Sequence, residues 1–142
     1  MLSILRIMSF PFSSFNQVVN AKPYLADPYF YRGLAKINLD DFQGAESDCS
    51  EAIERNPFVV SAYQVRGLAR IRQNKFDEAI EDYKTAIKYD PENVVLWHNL
   101  SLCHIQKEDY EAAKEDFGYA SDNCPQIYTC LSDARGSLPE TE

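Results

Sequence analysis

Apolar positions along this chain recur with the spacing of helices rather than of strands. Over residues 26–39, 60–73 and 94–107, Tyr29 and Gly33 stand four apart, as do Tyr63 and Gly67, so each pair shares one helix face. Over residues 42–56, 76–90 and 110–123, Ala45 and Ala52 stand seven apart, as do Ala79 and Ala86, again on one face. The pattern predicts six helices joined in pairs. Asn56-Pro57, Asp90-Pro91 and Cys124-Pro125 end the second helix of each pair, because the residue before a proline is pushed out of the helical region. Asp27-Pro28 reads as an N-cap followed by proline at the first helical position.

The pairs are copies of one another. Pro57, Pro91 and Pro125 are 34 residues apart, and five further columns keep that interval: Gly33, Gly67 and Ser101; Tyr29, Tyr63 and Trp97; Phe42, Phe76 and Tyr110; Ala45, Ala79 and Ala113; Ala52, Ala86 and Ala120. A period of about 34 residues is that of a helix–turn–helix repeat. Glycine in mid-helix costs about 1 kcal/mol against alanine, so it needs a packing reason. Close approach of the second helix, whose small residues face the glycine, supplies one.

The run YQVRGLARIRQNKFDEAIEDYKTAIKYDP (63–91) resembles a tetratricopeptide repeat of the bacterial kind. FYRGLAKINLDDFQGAESDCSEAIERNP (30–57) and LWHNLSLCHIQKEDYEAAKEDFGYASDNCP (96–125) are similar to it, and the resemblance covers residues 26–125. It implies an all-α fold, a right-handed superhelix of stacked antiparallel hairpins. The repeats span 26–59, 60–93 and 94–127, preceded by a cap and half repeat (1–25) and followed by a short stub helix and tail (128–142). Two departures stand out. Lys36, Arg70 and His104 occupy a place often held by an aromatic ring, and their stems are expected to lie on apolar surface with the heads in water. Cys49 stands where the other repeats have Tyr83 or Phe117, which predicts a thinner core in the first repeat.

In this family the first helix of each hairpin lines a concave groove that holds an extended or helical peptide. The resemblance therefore implies a scaffold or adaptor. It places Asp27, Phe30, Tyr31, Leu34, Ile37 and Asn38 in the groove from the first hairpin. From the second come Ser61, Gln64, Val65, Leu68, Ile71 and Arg72, and from the third Val95, His98, Asn99, Leu102, Ile105 and Gln106. Relatives that clamp an acidic C-terminal peptide place Lys and Asn where this chain has Phe30, Leu34 and Val95, so no carboxylate clamp is expected. The alternative is a structural role, as an assembly segment of a larger repeat protein or a homo-oligomer joined through its end helices.

Composition sharpens this picture at a few points. The 142 residues carry a net charge of −8, which argues against general binding of nucleic acid or anionic membrane. No apolar run approaches the ~20 residues of a membrane span. The first helices hold one acid, Asp27, against six bases (Arg32, Lys36, Arg66, Arg70, Arg72 and Lys107), which predicts a basic groove steering in an acidic or mixed apolar–acidic peptide. Cys49, Cys103, Cys124 and Cys130 show no metal-ligand spacing and read as free packing thiols. His98 and His104 are six apart, about 240° around a helix, so they cannot share a ligand. No phosphate-loop, nucleophile-elbow or zinc-protease motif occurs, and neither a cofactor nor catalysis is expected. The compartment is open between cytoplasm and bacterial periplasm. The opening MLSILRIMSFPFSSF lacks the pattern of a cleaved signal.

The ends fit the repeat poorly. Phe15, Val18, Val19 and Pro23 match the second helix of a preceding repeat whose first helix is missing. QIYTCLSDARGSLPETE begins like a further first helix until Gly136 and Pro139 interrupt it. Residues 1–12 as an apolar cap, with Ile127, Tyr128 and Leu131 packed on the last hairpin, would cover the array. A shifted reading frame at each end would instead make the chain one stretch of a longer array.

Overall fold

The computed structural model describes residues 14–123. They form seven helices and, among the described residues, no strand: α1 (14–21), α2 (Ala26–Asn38), α3 (Phe42–Arg55), α4 (Val60–Arg72), α5 (Phe76–Tyr89), α6 (Val94–Gln106) and α7 (Tyr110–Asn123). From α2 onward each helix packs on the next in the chain, and α2 also meets α4. The result is an all-α solenoid of three hairpins with α1 as a leading half. The cap at residues 1–12 and the stub helix and tail at 128–142 lie outside the described residues, as do Cys124 and Cys130.

The turn inside each hairpin is one motif used three times. Asp40, Asn74 and Glu108 adopt positive φ of 59°, 61° and 62°, again 34 residues apart. This left-handed residue lets the next amide reach back to a carbonyl five residues earlier: Asp41 to Lys36, Lys75 to Arg70 and Asp109 to His104. Asp and Asn tolerate that backbone, whereas glutamate is held there by its context. Asp41 then caps α3 by accepting from the Gly44 amide at 3.0 Å.

Proline does more than end the second helices. Tyr63 Oη donates to the Pro57 carbonyl and Trp97 Nε1 to the Pro91 carbonyl, each at 2.9 Å. The aromatic column therefore ties each first helix to the turn before it. In the first hairpin Arg55 takes over, donating to the Pro23 carbonyl and to Tyr29 Oη while stacking 4.1 Å from the Tyr29 ring centroid. The first helix of that hairpin begins earlier than the Asp27-Pro28 signal suggests. Leu25 is its N-cap, with no side-chain cap bond, and Asp27 lies in the first turn. A first-turn proline gives up an amide that has no partner there, so helix can extend past it.

Ala45, Ala52, Ala79, Ala86, Ala113 and Ala120 are all buried. The seal at the glycines is tighter than alanine alone would make it. A Cβ on Gly67 would stand 2.9 Å from the Tyr83 ring, and one on Gly33 would stand 3.0 Å from Cys49 Sγ and 3.3 Å from the Ala45 carbonyl. Tyr83, Leu96, Leu100, Cys103 and Tyr63 form one apolar cluster; Val19, Tyr29, Ala52 and Ala62 form another. Ile53 packs against both, joining the hairpins into one core. Burial pushes the Cys49 thiol up to about 12 and the Cys103 thiol up to about 11, so both are packing groups.

Candidate interaction surface

The first helices α2, α4 and α6 carry the residues expected at the surface, at differing exposure. Tyr31, Leu34, Val95 and Leu102 are 38–49% exposed, a high value for large apolar side chains. Asp27, Asn38, Ser61, Arg72 and Gln106 are exposed beside them, while Phe30, Ile37, Gln64, Leu68, Ile71, His98, Asn99 and Ile105 are half-buried. Val65 departs from expectation: it is buried at 9% exposure, within the stack rather than on its surface. Tyr31 carries an aromatic corner, with Phe15 of α1 stacked at 5.9 Å and Phe30 tilted against it at 5.1 Å. The His98 and Phe117 rings meet in a T-shaped arrangement, 5.7 Å between centroids.

The charge on these helices differs from the sequence count. Lys36, Arg70 and His104 do not carry their heads into water; each turns toward its partner helix. Arg32 grips Asp48 with two bonds of 2.8 and 2.6 Å, and Lys36 reaches the same carboxylate at 2.9 Å. Arg66 grips Asp82 at 2.6 Å, and Arg70 adds a 2.8 Å bond to it. In the third hairpin His104 Nδ1 lies 2.7 Å from Asp116 Oδ2. Lys107 pairs with Asp77. Five of the six bases counted toward a basic groove are therefore held in ion pairs or in contact with a carboxylate. Arg72 is exposed and stands outside these pairs, 5.7 Å from the Phe42 ring centroid.

Asp48, Asp82 and Asp116 form a seventh column at the 34-residue period, buried at 2–7% exposure. In the sequence alone, acids on a second helix look like a solvated face. The signal was its phase: a carboxylate that keeps step with buried alanines is itself buried, and so needs a charged partner. The same arginines also join successive repeats. Arg32 donates to Asn16 at 3.0 Å and Arg66 to Ser50 at 3.1 Å, each on the helix before. Glu46 is the hub between the first and second hairpins, accepting from Arg70 at 3.0 Å and from Gln73 and Lys75 at 2.8 Å. Burial alone would raise its carboxyl, but the bonds from Lys75, Arg70 and Gln73 outweigh it and bring it down to about 2. The Asp48 hydrogen bond raises the Arg32 guanidinium, outweighing burial. Burial depresses Arg70, but Glu46 and Asp82 outweigh that and raise it.

Among the described residues no group of three or more His, Cys, Asp or Glu is placed to hold a metal ion, and no helix is long and apolar enough to cross a membrane. The hairpins, their stacking and their exposed first-helix face define a helical-repeat protein. Residues 67–107 match the family model described as TPR repeat. The fold is similar to a crystal structure of MamA at TM-score 0.78 and 24% identity, covering 83% of this chain and 69% of that one. It is similar to MamA from Desulfovibrio magneticus RS-1 at TM-score 0.78 and 20% identity, covering 86% and 69%. It is also similar to the first TPR of Spaghetti (RPAP3) bound to the HSP90 peptide SRMEEVD, at TM-score 0.66 and 29% identity, covering 68% and 79%. No curated protein matches the chain in sequence.

Proposed function

We propose that this chain is a protein-interaction scaffold that takes a partner segment along the face formed by α2, α4 and α6. The observation carrying this is the column Leu34, Leu68 and Leu102, with Leu34 and Leu102 exposed at 38% and 41% beside Tyr31 and Val95. Exposed apolar side chains aligned on one face are a docking surface in a soluble array. Asn38, Gln64, Arg72, Asn99 and Gln106 flank them and supply hydrogen bonds for orientation. The likeness to a TPR bound to a peptide supports the mode of binding. The partner chemistry differs from that acidic peptide: Phe30, Leu34 and Val95 offer no cation to a carboxylate, and the nearby bases are already paired. An apolar or aromatic segment with few charges fits this face.

Selection of displayed peptides on the wild-type chain and on Leu68→Glu tests the reading. Peptides with apolar or aromatic anchors should be enriched on the wild type and lost on the variant. Enrichment indifferent to Leu68→Glu would reject it. Light scattering across a concentration series checks the alternative of an assembly segment, which requires mass to rise with concentration.

A further inference from the structure

Buried carboxylates in the first two hairpins are each locked by two cations, Arg32 with Lys36 on Asp48 and Arg66 with Arg70 on Asp82. Guanidinium keeps its proton at any pH a fold survives. In the third hairpin, Leu100 stands in the place of Arg66 and His104 in that of Arg70. Leu100 joins the apolar cluster, leaving Asp116 with the imidazole 2.7 Å away. Both groups are buried, at 9% and 7% exposure. Imidazole is the side chain whose charge ordinarily changes between about pH 5 and 8.

We propose that the α6–α7 hairpin is a pH-responsive element, in which a proton on His104 locks α6 to Asp116 of α7 and its loss loosens this hairpin while α2–α5 stay closed. The surroundings allow both proton exchange and movement. Two open hollows of ≈430 and ≈510 Å³ are both lined by His104, Lys84 and Asp109. The acids around the imidazole are Asp77 and Glu81 on α5, Asp109 in the turn, and Glu115 and Asp116 on α7. The bases are Lys84 and Lys88 on α5 and Lys107 at the C-cap of α6, the last paired with Asp77. Burial holds the Asp116 carboxyl above its ordinary value, only partly offset by His104, so an anion left beside neutral imidazole is poorly supported. The ion pair exists only where Asp116 is ionised and His104 protonated. Its stabilisation is therefore lost once the imidazole gives up its proton.

Amide hydrogen exchange of the full chain from about pH 5.5 to about pH 8, corrected for intrinsic rates, tests this. Protection of α6–α7 relative to α4–α5 should fall about fivefold, the difference between a charged and a neutral hydrogen bond. His104→Arg should abolish the fall by restoring a permanent cation. His104→Gln, which keeps a neutral donor, should abolish it at the lower level of protection and serves if the arginine variant fails to fold. His98→Gln, on the same helix, should retain it. An equal fall in α4–α5, persistence of the fall in either His104 variant, or its loss in His98→Gln would overturn the proposal.

Discussion

Gly67 and Tyr83 fit together so closely that a single added carbon would stand 2.9 Å from the ring. Gly67→Ala therefore gains about 1 kcal/mol of helix propensity but overpacks a fully buried tyrosine. A net loss of about 1–2 kcal/mol is expected, measured by urea denaturation. Gly33→Ala meets the Cys49 thiol at 3.0 Å, and the double variant with Cys49→Ala should recover most of its cost. Full additivity of the two changes would contradict the contact.

Asp82 receives both Arg66 and Arg70 while only 2% exposed. Asp82→Asn takes the carboxylate from Arg66, while Arg70 keeps Glu46, and should cost about 3–5 kcal/mol, the usual penalty for breaking a buried pair. A loss below about 1 kcal/mol in thermal or urea unfolding would show that water satisfies the arginines instead.

Glu46 gives the array an acid-sensitive joint. Its carboxyl lies at about 2 in the folded chain against 4.5 as its ordinary value. The folded value is the lower one, so the stabilisation is complete above about pH 4.5 and drains away as pH falls toward 2. Its size is on the order of 3 kcal/mol for this mostly buried group. Glu46→Gln should flatten the acid limb of the stability profile in that window, which unfolding at a series of pH values would reveal.

Glu108 sits at φ 62° in a turn where the other two hairpins use Asp and Asn. Glu108→Gly should raise stability by about 1 kcal/mol by removing a left-handed strain, and Glu108→Asn by less. A destabilised glycine variant would mean that the glutamate side chain has a compensating contact.

The helices and their phase were legible because buried alanine, glycine and aromatic positions repeat visibly. Ala45, Ala79 and Ala113 needed no structure to be placed inside. Lys36, Arg70 and His104 were misplaced because a helix taken alone does not show what its partner brings: the matching carboxylate lies twelve residues later on the facing helix. Repeat position alone put Val65 at the surface, yet it is buried because its neighbours close over it. That closure depends on the stacking of repeats, which no single hairpin records.

Arg32 and Arg66 each reach back to the preceding helix, where Asn16 and Ser50 meet them. Lys84 holds the corresponding place on α5, and Leu100 replaces the arginine that would face it. Donor and acceptor change together at that seam. A tandem copy of the second hairpin would set a new arginine against Lys84, like charge against like. The three hairpins are thus written in a fixed order, and the chain cannot be lengthened by simple duplication of its middle unit without rewriting both sides of the joint.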